Sequence, residues 1–478
     1  MKTLKEKTAT GILWGAMNNG SMQVLGALFG IITARLLSPK DYALVGMLAI
    51  FPAVAGAIQE SGFTSALVNM KKTEDNDYNS VFWFSLIMGT LLYVILFFCS
   101  PFISYYYKQP EIVVLSRVSF ITIPLSAIGI VPQAYLFKSL KVKEATMIRI
   151  QALIASGIVG IVMAMNGMAY WSIVWQQIIY VLITSIGKFF YIPWRPSIHI
   201  DFKPVRRMFG FSCKIMFTSI INTVSNNILI VIFGRLFPVQ AVGNFSQANS
   251  WNNKAYTLVS GTVAQVAQPV FSSIEDDKER LCNVFRKMVR FTAFLSFPVM
   301  FGLAIISQEF ILLAIGNKWA ESVFLLQILC ISGAFLPLHS TFQNLIISKG
   351  RSDLYLWGNI GLLLSSIALI VALGKLGIVV MIVGYSMLNI GWVAVWQYYA
   401  HKLIGLKFID TMKDIFPFFI SAFAVMSISY FIASFVDSMV LRLIIKMILS
   451  VVIYFAVMKL AKVKMLDECM NYIFHRNK

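Results

Sequence analysis

Residues 34–45 read ARLLSPKDYALV, and residues 234–245 read GRLFPVQAVGNF. Arg-Leu closes a long apolar run both times, at Arg35 and at Arg235. A join that recurs near mid-length suggests a chain built from two copies of one plan. The identity between the stretches is slight, so the echo has to be weighed against hydropathy and charge.

The chain has 478 residues, of which 58% are hydrophobic and only 13% charged. Soluble domains carry about 25% charged residues. Runs of 18 or more nearly charge-free residues recur along the whole sequence, and such runs read as membrane-spanning helices. A helix satisfies its own backbone groups in lipid, whereas a barrel needs a strand alternation that this sequence lacks. The fold class is therefore an all-α integral membrane protein.

The apolar runs define 14 spans, the first from near Gly11 and the last from near Met439. Charge supports this count. With the N-terminus in the cytoplasm, the inside segments carry 27 Lys and Arg and the outside joins carry 7. That asymmetry is the positive-inside pattern for a chain with both termini cytoplasmic. One missed span would scramble it. The net charge of +19 is thus a topology signal rather than a nucleic-acid footprint. The basic-then-apolar start resembles a signal peptide, but its apolar run continues to about Leu37 and further spans follow, so it reads as a retained first span.

Arg35 and Arg235 end spans one and seven on the outer side. A second echo pairs SLKVKEA (139–145) with SKGRSDL (348–354), each a basic inner turn between the fourth and fifth spans of its half. The expected organisation is a six-helix lobe over 1–192, a basic cytoplasmic linker over 193–209, a second six-helix lobe over 210–400, and two extra helices with a basic tail over 401–478. Parallel repeats suggest a two-lobed transporter that rocks around a central cavity.

Polar residues inside spans are costly and mark cavities or partners. Span eight carries Gln247, Ser250, Lys254, Thr257, Gly261, Gln265 and Gln268 at steps of three and four, which places them on one helical face. Span seven has Lys214, Thr218, Asn222 and Ser225, with Asn226 beside them; span one has Asn19, Gln23, Gly26, Gly30 and Thr33, with Asn18 adjacent. Close helix packing also uses Asn, Gln and small residues, but a stripe as long as that on span eight favours a wet surface. Isolated charges fall at Glu60, Arg117, Arg149, Lys214, Lys254 and Lys446. Arg149, Lys214 and Lys446 have the option of snorkelling to the inner interface. For Glu60 the options are pairing with a lysine, capping the turn at Gly62, or carrying a proton. A cavity with several cations and few anions suits an anionic ligand, and a diphosphate headgroup fits charge-assisted bonding to Arg and Lys.

Pro52, Pro124, Pro298, Pro337 and Pro417 fall within spans and are expected to kink them. The five cysteines form no CxxC pair and the four histidines no cluster, so no metal or redox site is expected.

Several stretches carry a family likeness: ESGFTSALV (60–68), NSVFWFSL (79–86), LFKSLKVKEAT (136–146), VFSSIEDDKERL (270–281), IGNKWAESVFLLQIL (315–329) and SKGRSDL (348–354). They resemble the O-antigen, colanic-acid and teichuronic-acid flippases of the multidrug/oligosaccharidyl-lipid/polysaccharide exporter superfamily. The resemblance implies two six-helix lobes, two extra C-terminal helices, and a cavity lined largely by spans 1, 2, 7 and 8. It departs from the family pattern at GNF (243–245) and at Glu60, where an Asp often stands. The implied function is export of a lipid-diphosphate-linked oligosaccharide across the bacterial inner membrane by alternating access, for lipopolysaccharide, capsule or exopolysaccharide synthesis. No cofactor is expected. The energy source is an H⁺ or Na⁺ gradient, the membrane potential, or product consumption. Expected partners are the lipid-linked glycan, membrane lipids and other polysaccharide assembly proteins. The candidate substrate-binding residues are Asn18, Asn19, Gln23, Glu60, Arg117, Arg149, Lys214, Asn222, Asn226, Gln247, Lys254 and Gln265. A cation-coupled drug exporter of the same superfamily is the first rival, disfavoured by the shortage of carboxylates in the first lobe. A membrane glycan polymerase or ligase is the second; it would need a large outer loop with paired catalytic residues, and the outer joins are short.

Overall fold

The computed structural model describes the backbone of residues 4–461 apart from 61, 71, 199, 200 and 275, together with 463 and 466. Side chains are described from Gly20 onward within that set, apart from 69, 207, 209–215, 265, 266, 268 and 269.

Fourteen long helical segments run through the described residues. They are α1 (Leu4–Leu36), α2 (Pro39–Val68), α3 (Asp75–Tyr107), α4 (Ile112–Lys138), α5 (Val142–Met165), α6 (Trp171–Tyr191), α7 (Lys203–Leu236), α8 (Val239–Ser273), α9 (Lys278–Ile315), α10 (Asn317–Ser348), α11 (Ser352–Leu373), α12 (Ile378–Ile404), α13 (Phe408–Ser434) and α14 (Met439–Leu460). No strand occurs among the described residues. Twelve segments contain a stretch long and apolar enough to cross a membrane, in keeping with a multi-pass membrane protein. The two outside that set are α1, whose side chains are described only over Gly20–Leu36, and α8. At 35 residues α8 is long enough; its run of Gln, Asn and Lys makes it too polar.

Both sequence echoes become matching turns. α1 ends at Leu36 and α2 begins at Pro39; α7 ends at Leu236 and α8 begins at Val239. In the first join Ser38 caps α2. Its backbone N–H donates to Asp41 Oδ2 at 2.8 Å, and Pro39 fills the first helical position, where no donor is needed. The two joins meet. A Cβ on Gly243 would collide with the Pro39 carbonyl, so only glycine lets the backbones approach this closely. The basic turns also match. α4 to α5 and α10 to α11 are three-residue turns whose middle residues, Leu140 (φ 54°) and Gly350 (φ 69°), are left-handed. Lys141 N–H donates to Leu136 O at 2.9 Å, and Arg351 N–H donates to Ile346 O at 3.1 Å. Both are the same left-handed helix stop.

Three of the five expected prolines follow interruptions. Pro52 lies just past the break at Ala49, Pro124 past the break at Phe120–Ile121, and Pro337 past the break at Ala334–Phe335. In a first turn the missing N–H costs nothing. Pro298 and Pro417 sit inside continuous helix.

The chain divides into two compact units, Met1–Ser246 and Gln247–Lys478. This differs from a boundary at 193–209. α7 groups with the first six helices because it packs along α2 and α3. The start of the basic linker is itself folded onto α3. Trp194 is buried against Tyr78 and Phe82, and Ser197 N–H donates to Asn79 Oδ1 at 2.9 Å.

In the second unit α9 is the hub. Arg286 grips Asp414 of α13 through two bonds, at 2.7 and 3.2 Å. Tyr454 of α14 donates to Phe294 O at 2.9 Å. Lys446, for which snorkelling to the inner interface was one option, is buried at 1% exposure. Its Nζ lies 2.7 Å from Glu309 Oε1 and 2.9 Å from Ile305 O, with the Tyr430 ring 4.6 Å away. A charge that finds a buried partner has no need to snorkel.

Candidate functional site

Several cations inside the spans lack a carboxylate partner. Lys254 sits mid-way along α8. Its Nζ donates to Ser250 Oγ at 2.8 Å, one turn earlier, and lies 4.7 Å from the centre of the Trp251 ring. No acidic side chain pairs with it among the described residues. Trp251 is fixed edge-on against Phe310 at 4.8 Å, and its indole N–H has no acceptor. The lysine is therefore held by helix packing with its charge uncompensated, which favours an anion.

The first unit gathers a second charged group. Glu60 ends the middle piece of α2 and lines a cavity of about 490 Å³ with Thr64, Ser65, Ser219 and Thr223. The left-handed turn at Gly62 (φ 69°) starts the next helical piece and brings Thr64 and Ser65 to that wall. Arg149 of α5 and Glu60 both lie within electrostatic range of Lys188, at the end of α6. Lys188 Nζ donates to Gly129 O at 3.4 Å. Arg149 also acts on Tyr180. Lys188 of α6 thus feels one cation of α5, Arg149, and one carboxylate of α2, Glu60.

Lys188 escaped the sequence reading. It ends an apolar run, where a lysine looks like an interface anchor. The polar face of α6 was missed too. Gln176, Gln177 and Tyr180 line a larger cavity in the first unit, of about 630 Å³.

The remaining candidates are dispersed. Arg117 stacks over Phe97, 4.4 Å from the ring centre, and lines none of the described cavities; its Nε is buried without an acceptor. Gln247 is buried, Asn226 is exposed, and Gln23 and Asn222 are half-buried with partners of their own. Asn18, Asn19, Lys214 and Gln265 lie outside the residues whose side chains are described.

Residues 32–324 match the model of a family described as "Polysaccharide biosynthesis protein". The chain belongs to this family. Two relatives are the "Lipopolysaccharide biosynthesis protein WzxC" of Escherichia coli (strain K12), 23% identical over 74% of this chain and 72% of that protein, and the "Teichuronic acid biosynthesis protein TuaB" of Bacillus subtilis (strain 168), 24% identical over 76% of each. Among solved structures the chain is similar to "Lipid II flippase MurJ, inward closed conformation", with a TM-score of 0.71 at 16% identity, over 94% of this chain and 99% of that one. At that identity the likeness concerns the fold. The family match covers α2 to α9 in full, so it takes in both Glu60 and Lys254.

Proposed function

We propose that this polysaccharide biosynthesis protein is a flippase. It moves a lipid-diphosphate-linked oligosaccharide across the bacterial inner membrane, with both termini cytoplasmic, by alternating access of two lobes. No bond is made or broken. The observation that carries this reading is Lys254. A lysine inside a polar spanning helix, neutralised by no carboxylate and backed by an indole face, is a docking point for a diphosphate. Asn222, Asn226 and Gln247, together with Asn18, Asn19, Gln23, Lys214 and Gln265, complete the proposed polar path for the headgroup. Arg149 and Glu60 belong to the charged group of the first unit. The lipid tail stays in the bilayer. The energy comes from an H⁺ or Na⁺ gradient or from the membrane potential, which is worth about 2.3 kcal/mol per charge per 100 mV.

The test is headgroup translocation in vesicles reconstituted with the purified protein. Fluorescent diphosphate-linked oligosaccharide lipids are placed in one leaflet and read with an impermeant quencher. Protein-dependent movement that falls about tenfold or more in Lys254→Ala, and recovers partly in Lys254→Arg, supports the reading. Drug efflux from the same vesicles without lipid movement would transfer the protein to the cation-coupled exporters.

A further inference from the structure

The 630 Å³ cavity of the first unit has a size suited to a small ligand. It is an open cleft lined by α1, α2, α4, α5 and α6, and its described lining contains no Asp, Glu, Lys, Arg or His. Three polar side chains of α6 open into it. The side chains of Gln176, Gln177 and Tyr180 make no hydrogen bond to any described residue. Among the described residues nothing takes up these two amides and the phenol; Gln176 and Tyr180 are half-buried and Gln177 is exposed. Thr33 and Tyr42 also face the space but bond each other at 3.0 Å. The floor is open: a Cβ built on Gly26 or Gly56 meets nothing within 4 Å. By contrast, Gly157 on nearby α5 would meet the Phe29 ring at 2.5 Å, so the space beside Gly26 and Gly56 is not general looseness.

The lining narrows the choice of ligand. A diphosphate has no cation here, and an ion has no carboxylate. An alkyl chain would strip water from three polar ends that have no partner among the described residues and give them nothing in return. A neutral, hydroxyl-rich group satisfies amide and phenol donors and acceptors, while Phe29 and Tyr42 offer ring surface to its C–H face. Tyr180, which lines the cavity, is also within electrostatic range of Arg149.

We infer that this cavity is a binding site for an uncharged sugar of the carried glycan. The inference rests on the flippase reading above and adds where the glycan is sensed. Gln176, Gln177 and Tyr180 are then residues that discriminate one sugar from another.

Binding to the purified full-length protein tests it. The probes are polyprenyl diphosphate and the same lipid bearing glucose, galactose or N-acetylglucosamine, with affinities read by native mass spectrometry. The native protein should bind at least one sugar-bearing lipid about tenfold or more tighter than the bare diphosphate. Gly26→Leu, which fills the cavity, should erase that difference while leaving affinity for the bare diphosphate and the melting temperature unchanged. Tyr180→Phe, which removes one hydroxyl, should shrink the difference and alter which sugar is preferred; it decides the matter if Gly26→Leu fails to fold. Equal binding of bare and sugar-bearing lipids, or a preference that survives both substitutions, overturns the sugar site and leaves the flippase reading standing. Failure of the native protein to bind any of the diphosphates overturns both.

Discussion

Gly243 lies against Pro39 with no room for a side chain between them. The two residues come from the two echoing joins, so the repeat is also a contact. Gly243→Ala must push α8 away from the start of α2, because the obstacle is a backbone carbonyl and not a flexible side chain. We expect a loss of about 1–3 kcal/mol, the usual cost of overpacking. Gly46→Ala should cost less, since a Cβ there meets the movable end of Ile230 at 2.7 Å. Thermal melting of the purified variants compares the two directly; equal losses would mean that the backbone contact is not the constraint.

The Lys446–Glu309 pair makes a second prediction. Both side chains are almost fully buried. Lys446→Met alone leaves a buried carboxylate and should cost about 3–5 kcal/mol. Glu309→Gln alone should be nearly as harmful. Lys446→Met combined with Glu309→Leu should recover most of the loss, because neither charge remains to be desolvated. Unfolding of the singles and the double in denaturant closes the cycle. Additive losses would show that the pair is not coupled.

Arg117 and Lys254 looked equivalent as isolated cations. Their surroundings separate them. Arg117 spends its charge on the Phe97 face, so Arg117→Ala should cost about 0.5–2 kcal/mol of stability. Flipping per folded molecule should stay near normal, whereas Lys254→Ala, with a comparable stability cost from its Trp251 contact, should lose transport. Parallel melting and vesicle assays distinguish the two roles.

Leu140 holds a left-handed conformation where the matching turn has Gly350. The side chain is 53% exposed and contributes little packing. Relief of backbone strain outweighs the greater chain entropy of glycine, so Leu140→Gly should stabilise the protein by about 0.5–1 kcal/mol. Gly350→Leu should destabilise it by a similar amount. A melting curve with the opposite order would refute the strain argument.

Much of the architecture was written in local features. Hydropathy and the charge of the turns are short-range properties, and they marked out the fourteen segments. The echoes at Arg35 and Arg235 were readable because a two-residue turn between helices fixes its flanks. The site was less legible. The stripe on α8 stood out because its polar residues keep a helical period. Gln176, Gln177 and Tyr180 did not stand out, since two adjacent amides in an apolar run show no period. The pairing of Lys446 was hidden for another reason. Its partner lies 137 residues away, and no local pattern announces a contact at that distance.

That separation has a consequence for how the protein is made. Glu309 leaves the ribosome well before Lys446 does. At about 5–20 residues per second, the interval is roughly 7–27 seconds. Through that interval α9 carries an acid with no counter-charge into or beside the bilayer. Either the carboxyl is protonated on entry, or α9 is kept at the insertion machinery until the last helix arrives. The C-terminal pair is then the step that releases α9 into its final place, and a chain cut short before α14 should be held back by quality control rather than accumulate as a smaller transporter.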